Sequence, residues 1–150
     1  MAAAFTIDPG TGTIRIADAV ALRPGHARSE LGPLITDRLD GARDHGNGHE
    51  WLRLADLTFG GRPASLALGF GAGRLERVSW SIRPAGATSE GGWPTRAAID
   101  AEVAFVRDTL SRRMGVRLGR TSWGEIWSRF DGRAFAASNG LRYHPASGLP

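Results

Sequence analysis

Three strand-like runs joined by glycine links, at 51–59, 63–70 and 74–83, constrain this chain's fold more than any other feature. The links Gly60-Gly61 and Gly71-Ala72-Gly73 are too short for a crossover helix. Parallel pairing needs a connection of about a dozen residues or more, so these runs must pair antiparallel, as a meander. Along them Trp51, Leu57 and Phe59, then Leu66, Leu68 and Phe70, then Val78, Trp80 and Ile82 each keep one parity. Such alternation lays one face of a sheet on a core and turns the other toward solvent.

One segment follows a different period. Ile99, Val103, Val106, Leu110 and Met114 step by four, three, four and four, which is one face of an α-helix. Thr95 suits its N-cap and Gly115 the position just past its end, while Asp108 and Arg112 form an i,i+4 pair. A shorter helix is expected within 27–39, with Leu31, Leu34, Ile35 and Leu39 as its stripe and Gly32-Pro33 interrupting it. Before it, 5–16 reads as two strands around a Pro9-Gly10-Thr11-Gly12 turn. The stretches 40–50 and 84–92 read as loops. The chain closes with strands at 121–130 and 133–143, joined at Asp131-Gly132 through an expected type I′ turn.

The resulting order is ββ-α-βββ-α-ββ. It implies an α+β fold: a single antiparallel sheet, meander plus C-terminal hairpin, with one long and one short helix packed on one face. A length of 150 residues suits one domain spanning 1–150.

Composition removes whole chemistries. All nineteen basic residues are arginine, and cysteine and glutamine are absent. That excludes a lysine Schiff base, a phosphate-loop lysine, a cysteine nucleophile and any thiolate-held zinc or iron–sulfur cluster. No cofactor is implied. Gly69-Phe-Gly-Ala-Gly73 precedes a strand rather than a helix, so it is no dinucleotide fingerprint. The opening residues have no basic stretch followed by a long apolar run, and no segment has the length of a membrane span. A cytoplasmic protein without a membrane partner is expected.

The net charge of +4 is unevenly spread. The first fifty residues carry five Arg against seven acids, and the last fifty carry eight against four. Arg107, Arg112, Arg113, Arg117 and Arg120 crowd together around the expected helix end, where cations suit the dipole. Such a cluster also grips carboxylate or phosphate.

The segment Trp123-Gly-Glu-Ile-Trp-Ser-Arg-Phe130 carries the main functional expectation. As a strand it sets Trp123, Glu125, Trp127 and Arg129 on one face, and Gly124, Ile126, Ser128 and Phe130 on the other. If helices cover one face only, the other invites a partner, and interleaved Trp and Arg are what binding hot spots are made of. The expected contact set is therefore Trp123, Trp127 and Arg129, with Arg112, Arg113 and Arg117 meeting an acidic partner protein. The plainer reading places the tryptophans in the core. An enzymatic alternative would use Glu125 or Asp131, since a carboxyl beside aromatic surface suits a general acid, or a metal at His45 and His49. Against these stand a Glu125 paired across the hairpin with an arginine and two histidines solvated in a loop. Nucleic-acid binding through the arginine cluster is a further alternative, weakened by the modest charge and the lack of an RNA-recognition aromatic motif.

The stretch Ser122-Trp-Gly-Glu-Ile-Trp-Ser-Arg-Phe-Asp-Gly-Arg133, with Tyr143, is similar to the closing hairpin of small, uncharacterised proteobacterial proteins, some of them immunity or accessory partners of secreted toxins. That resemblance implies a bacterial protein binder whose partner is a toxin or secreted effector, and it supplies no catalytic residue. The order α-βββ-α-ββ from residue 27 onward also resembles type III secretion chaperones, which are acidic and end in a further helix, unlike this basic chain.

Overall fold

The computed structural model of the protein describes residues 2–83, 89–90 and 93–145. Its elements are β1 (Ala3–Ile7), β2 (Ile14–Ile16), β3 (Val20–Leu22), α1 (Arg28–Ile35), a 3₁₀ turn (Thr36–Arg38), β4 (Leu39–Asp44), β5 (His49–Phe59), β6 (Arg62–Gly71) and β7 (Arg74–Ile82). A small two-stranded pair, β8 (Ser89–Glu90) and β9 (Trp93–Pro94), precedes α2 (Arg96–Asp108). Then follow a π-turn (Thr109–Arg113), β10 (Gly119–Arg120), β11 (Gly124–Asp131) and β12 (Ala136–Tyr143). The rest of the expected loop 84–92 lies outside the described residues.

The fold class is the expected α+β one. A ten-stranded, mostly antiparallel sheet runs in the order β10-β11-β12-β7-β6-β5-β1-β2-β3, with β4 also on β5. The meander β5-β6-β7 is present, and β12 returns to pair with β7. Among the described residues the one parallel contact is β1 on β5, at Leu57 and Thr58.

A β-bulge explains why both β4 and β1 find room on one edge of β5. The register with β6 slips between Leu54 and Leu57, and Asp56 takes φ +57°. Upstream of that break β5 pairs with β4, and downstream with β1. An inserted residue also reverses which side chains face inward. Leu52 and Leu54 are buried before the bulge, and Leu57 and Phe59 after it. Trp51 therefore lies on the opposite face from Leu57 and Phe59, which corrects the single parity expected for the three.

The sheet is open but strongly curled. The β1–β2 turn reaches the far end of β11 and β12, where the Tyr143 hydroxyl donates to the Gly12 carbonyl at 2.6 Å. Burial pushes the Tyr143 phenol upward. The inner face is thus covered by the curled-over β1–β3 segment as well as by the two helices. One buried cluster joins Phe5 and Ile14 of that segment, Leu31 and Ile35 of α1, Val106 of α2, Leu110 just beyond it, and the inward residues of the meander. Phe5, Phe59 and Trp80 pack ring to ring at 5.1–6.4 Å.

The long helix begins and ends as its sequence dictates. The Thr95 hydroxyl accepts from the Ala98 N–H at 3.1 Å, capping the first turn. Gly115 sits at φ +67°, and the Val116 N–H closes on the Leu110 carbonyl at 2.8 Å. Ile99, Val106 and Leu110 are buried, while Val103 and Met114 are half-buried. Where α2 meets the sheet, a polar chain lies beside the apolar packing. Ser128 donates to Asn139 Oδ1 at 2.7 Å, and Asn139 Nδ2 donates to Glu102 Oε2 at 2.7 Å and to the Trp80 carbonyl at 3.1 Å. Burial raises the Glu102 carboxyl above its ordinary range; the hydrogen bonds from Asn139 and Ile82 oppose that shift.

Elsewhere the structure departs from the expected elements. The start of the expected loop 40–50 is strand β4, whose residues are all exposed, so no apolar alternation marks it. The three-residue β3 and two-residue β10 are likewise additional. In α1 only Leu31 and Ile35 of the expected stripe are buried; Leu34 stays 47% exposed, and Leu39, 44% exposed, already belongs to β4. The β11–β12 hairpin forms, but not through a two-residue type I′ turn. Asp131 pairs with Ala136, and the Asp131 carboxylate accepts from the N–H groups of Arg133 and Ala134. The left-handed residue of that loop is Phe135, at φ +48°.

Among the described residues no helix is long and apolar enough to cross a membrane.

Candidate functional site

With both helices and the β1–β3 segment on the inner side, no element among the described residues covers the outer face of the central strands. That face is almost bare where β12, β7 and β6 cross it. Registers align Gly140 with Ser79 and Ala67 in one row, and Arg142 with Arg77 and Gly69 in the next. Apart from Arg142 and Arg77, the large side chains over these rows come from the flanking strands. Trp127 of β11 lies over Gly140, where an added Cβ would come within 2.8 Å of its ring. Trp51 of β5 lies over Gly69 in the same manner, at 2.9 Å. Glycine inside a strand here means close approach of an aromatic, not a bend.

Trp127 is the fixed point of this face. Its indole N–H donates to the Ser138 hydroxyl at 3.0 Å, and the Arg129 guanidinium stands 5.3 Å from its ring centroid. Arg129 is exposed and Trp127 half-buried. One row along, Glu125 accepts from Arg142 at 2.7 Å, directly across the strand pair. Two adjoining grooves follow that row. One of about 290 Å³ is lined by His45, His49 and Trp51 among others, and one of about 510 Å³ by Arg120, Arg142 and His144 among others. Glu76 and Arg77 belong to both.

The expected contact residues divide into three groups. Trp127 and Arg129 share the outer face, as the alternation along β11 requires. Trp123 does not join them. It precedes the strand, is 8% exposed, lies against the Gly12 backbone and packs edge-on against Tyr143 at 5.8 Å. Its indole N–H donates to the Pro9 carbonyl at 3.1 Å, so the ring is an interior anchor for the β1–β2 turn. Arg112, Arg113 and Arg117 gather at the end of α2 on the opposite layer, with Arg112 held by Asp108 at 2.8 Å. Arg107, of the same cluster, donates to the Ser128 carbonyl at 2.8 Å.

Of the groups named for enzymatic chemistry, Glu125, Asp131 and His49 have side-chain partners, and His45 is held through its backbone N–H. Glu125 is paired with Arg142, and Asp131 holds the hairpin loop. His45 and His49 flank the β4–β5 turn, with His49 Nδ1 at 3.6 Å from Glu76. No group of three or more metal-binding side chains occurs among the described residues.

Two residues of this face escape a reading of the sequence alone, Trp51 and Arg77. The signal for Trp51 was the change of parity from Leu52 and Leu54 to Leu57 and Phe59, which announces the bulge. The signal for Arg77 was Gly69, a strand glycine that leaves room for neighbouring side chains.

No family model matches the sequence, and no curated protein matches it. Among solved structures, the chain is similar to a chain of one described as Rhs1-CT in complex with cognate immunity protein RhsI1. The TM-score is 0.59 with 13% identity, over 93% of this chain and 87% of the other. At that identity the likeness is one of fold.

Proposed function

We propose that this chain is a non-enzymatic, protein-binding domain of the toxin-immunity kind, docking on a toxin domain through the outer face of its sheet. The observation that carries the reading is Trp127. Its indole packs against Gly140, is oriented by Ser138, is flanked by Arg129 and remains half-exposed on a face that no described element covers. Pre-positioned aromatic and arginine side chains of this sort concentrate binding energy. The fold shared with a chain of a toxin–immunity complex supports a partner of that class. Arg112, Arg113 and Arg117 would add an outlying electrostatic contact, reached only by a partner that wraps past the end of α2.

The test is co-expression with the toxin domain of the same locus. The wild-type chain should restore growth and co-purify with the toxin domain. Trp127→Ala should weaken that complex by roughly tenfold or more. Failure of the wild-type chain to bind or protect overturns the reading. A Trp127→Ala variant that binds as well as wild type removes the contact from this face.

A further inference from the structure

We infer that the groove passing Arg77 on the outer face is a carboxylate-binding site, and that its occupant is an acidic segment of a partner protein. This rests on the protein-binding reading above and names the chemistry of the partner. The two grooves of about 290 and 510 Å³ meet at Arg77 and form one track across the sheet. Register sets the residues along it: Glu125 of β11, Arg142 of β12, Arg77 of β7, Gly69 of β6 and Trp51 of β5, with Arg43 of β4 next in register beyond the lining residues.

Gly69 makes the site. A Cβ there would lie 2.6 Å from Arg77 Cγ and 2.9 Å from the Trp51 ring, so the arginine stem and the indole both rest on bare backbone. A stem packed in this way has lost much of its rotamer freedom before any ligand arrives, which favours binding. The head group is unspent. Arg77 makes no ion pair or hydrogen bond among the described residues, whereas Arg142 is taken by Glu125 at 2.7 Å. Glu76 stands 3.6 Å from His49. Arg43 and Arg120, at the two ends of the track, are likewise without an acidic partner among the described residues.

A planar guanidinium with a free fork takes a carboxylate in two parallel hydrogen bonds. The acids beside it decide the ligand class. Glu76 and Glu125 line the same track, so a continuous phosphate backbone would have to run past both. Separate carboxylates on a peptide can seat on Arg77 and on the track's ends while avoiding them. The net charge of +4 is also modest for a polyanion site.

The test is an NMR titration of the isotope-labelled full chain with three probes: a synthetic Asp/Glu-rich peptide, its Asn/Gln counterpart and an oligothymidylate. The acidic peptide should shift the Trp51 indole N–H and the Arg77 Nε–H signals, and the amide counterpart should not. Arg77→Ala should weaken the peptide by about tenfold, with Arg77→Lys in between, because lysine keeps the charge and loses the fork. Arg15→Ala, at an exposed position of β2 to which no contact is assigned, should leave the affinity unchanged. Tighter binding of the oligothymidylate, unchanged peptide affinity in Arg77→Ala, or shifts confined to the end of α2 would each overturn the site. A toxin domain that binds but ignores Arg77→Ala removes this inference and leaves the immunity reading standing. A peptide that docks at Arg77 when no toxin domain binds does the reverse.

Discussion

Trp123 and Trp127 stand four residues apart and occupy two unlike regions of the molecule. Trp127 lies on the outer face of the sheet, over glycine, beside an exposed arginine. Trp123 lies in the corner where the β1–β2 turn closes over the end of the sheet. Their spacing would place them on one strand face, but β11 begins only at Gly124. Before it the Thr121 hydroxyl accepts from the N–H groups of Trp123 and Gly124, at 3.2 and 3.0 Å. That local turn rotates the chain out of strand phase. Period-2 reasoning holds only from the first ladder residue onward, and a side-chain-capped turn just upstream sends its neighbour elsewhere.

The difference between the two regions is measurable as stability. Trp123→Ala removes a ring that fills the corner and donates to Pro9, and it should cost about 3–5 kcal/mol. For a domain of this size that lowers the melting temperature by roughly 10 °C or more. Trp127→Ala strips a half-buried ring from an open face and should cost about 1 kcal/mol. Its main effect belongs to partner binding. Paired thermal melts of the two variants check the contrast, and equal losses would mean that Trp127 supports the core as much as Trp123 does.

A smaller effect separates the two halves of β5. Asp56 holds φ +57° at the bulge, a conformation costly for any residue with a Cβ, and its exposed side chain has no hydrogen-bond or ion-pair partner among the described residues. Asp56→Gly should therefore raise stability by about 0.5–1 kcal/mol, read from urea midpoints. A loss instead would show that the acid helps hold the bulge that keeps Trp51 on the outer face.

Much of this architecture is legible in the residues, and the exceptions have physical causes. The meander and α2 announce themselves because each buries one face, so apolar spacing records their geometry. The Thr95 cap and Gly115 stop are chemistry local to the chain. β4 is hidden because an edge strand exposed at every residue carries no pattern. The bulge hides Trp51, since a single inserted residue inverts parity without altering composition. Asp131-Gly132 signals the hairpin correctly, but the Asp131 carboxylate prefers two loop N–H groups to the left-handed conformation expected of it. At the candidate site, alternation along β11 suffices for Trp127 and Arg129. The distance in space between them and Arg112, Arg113 and Arg117 depends on which side of the sheet α2 packs, and spacing within one element cannot encode that.

The least perturbing test returns to the inner face, where Glu102 meets Asn139 beneath α2. Burial raises this carboxyl, so the native chain binds the proton more readily than the unfolded chain does. Its contribution to stability is fully present below the ordinary glutamate range, about 4.3, and is lost as the pH climbs through the raised value. Gln at this position keeps an oxygen to accept from Asn139 and from the Ile82 N–H, and cannot ionise. Glu102→Gln should therefore melt at a higher temperature relative to wild type at pH 7 than at pH 4, with the two proteins converging toward acid. A gap that widens toward acid instead would mean that the Asn139 and Ile82 hydrogen bonds outweigh burial. The inner face would then hold a stabilised anion.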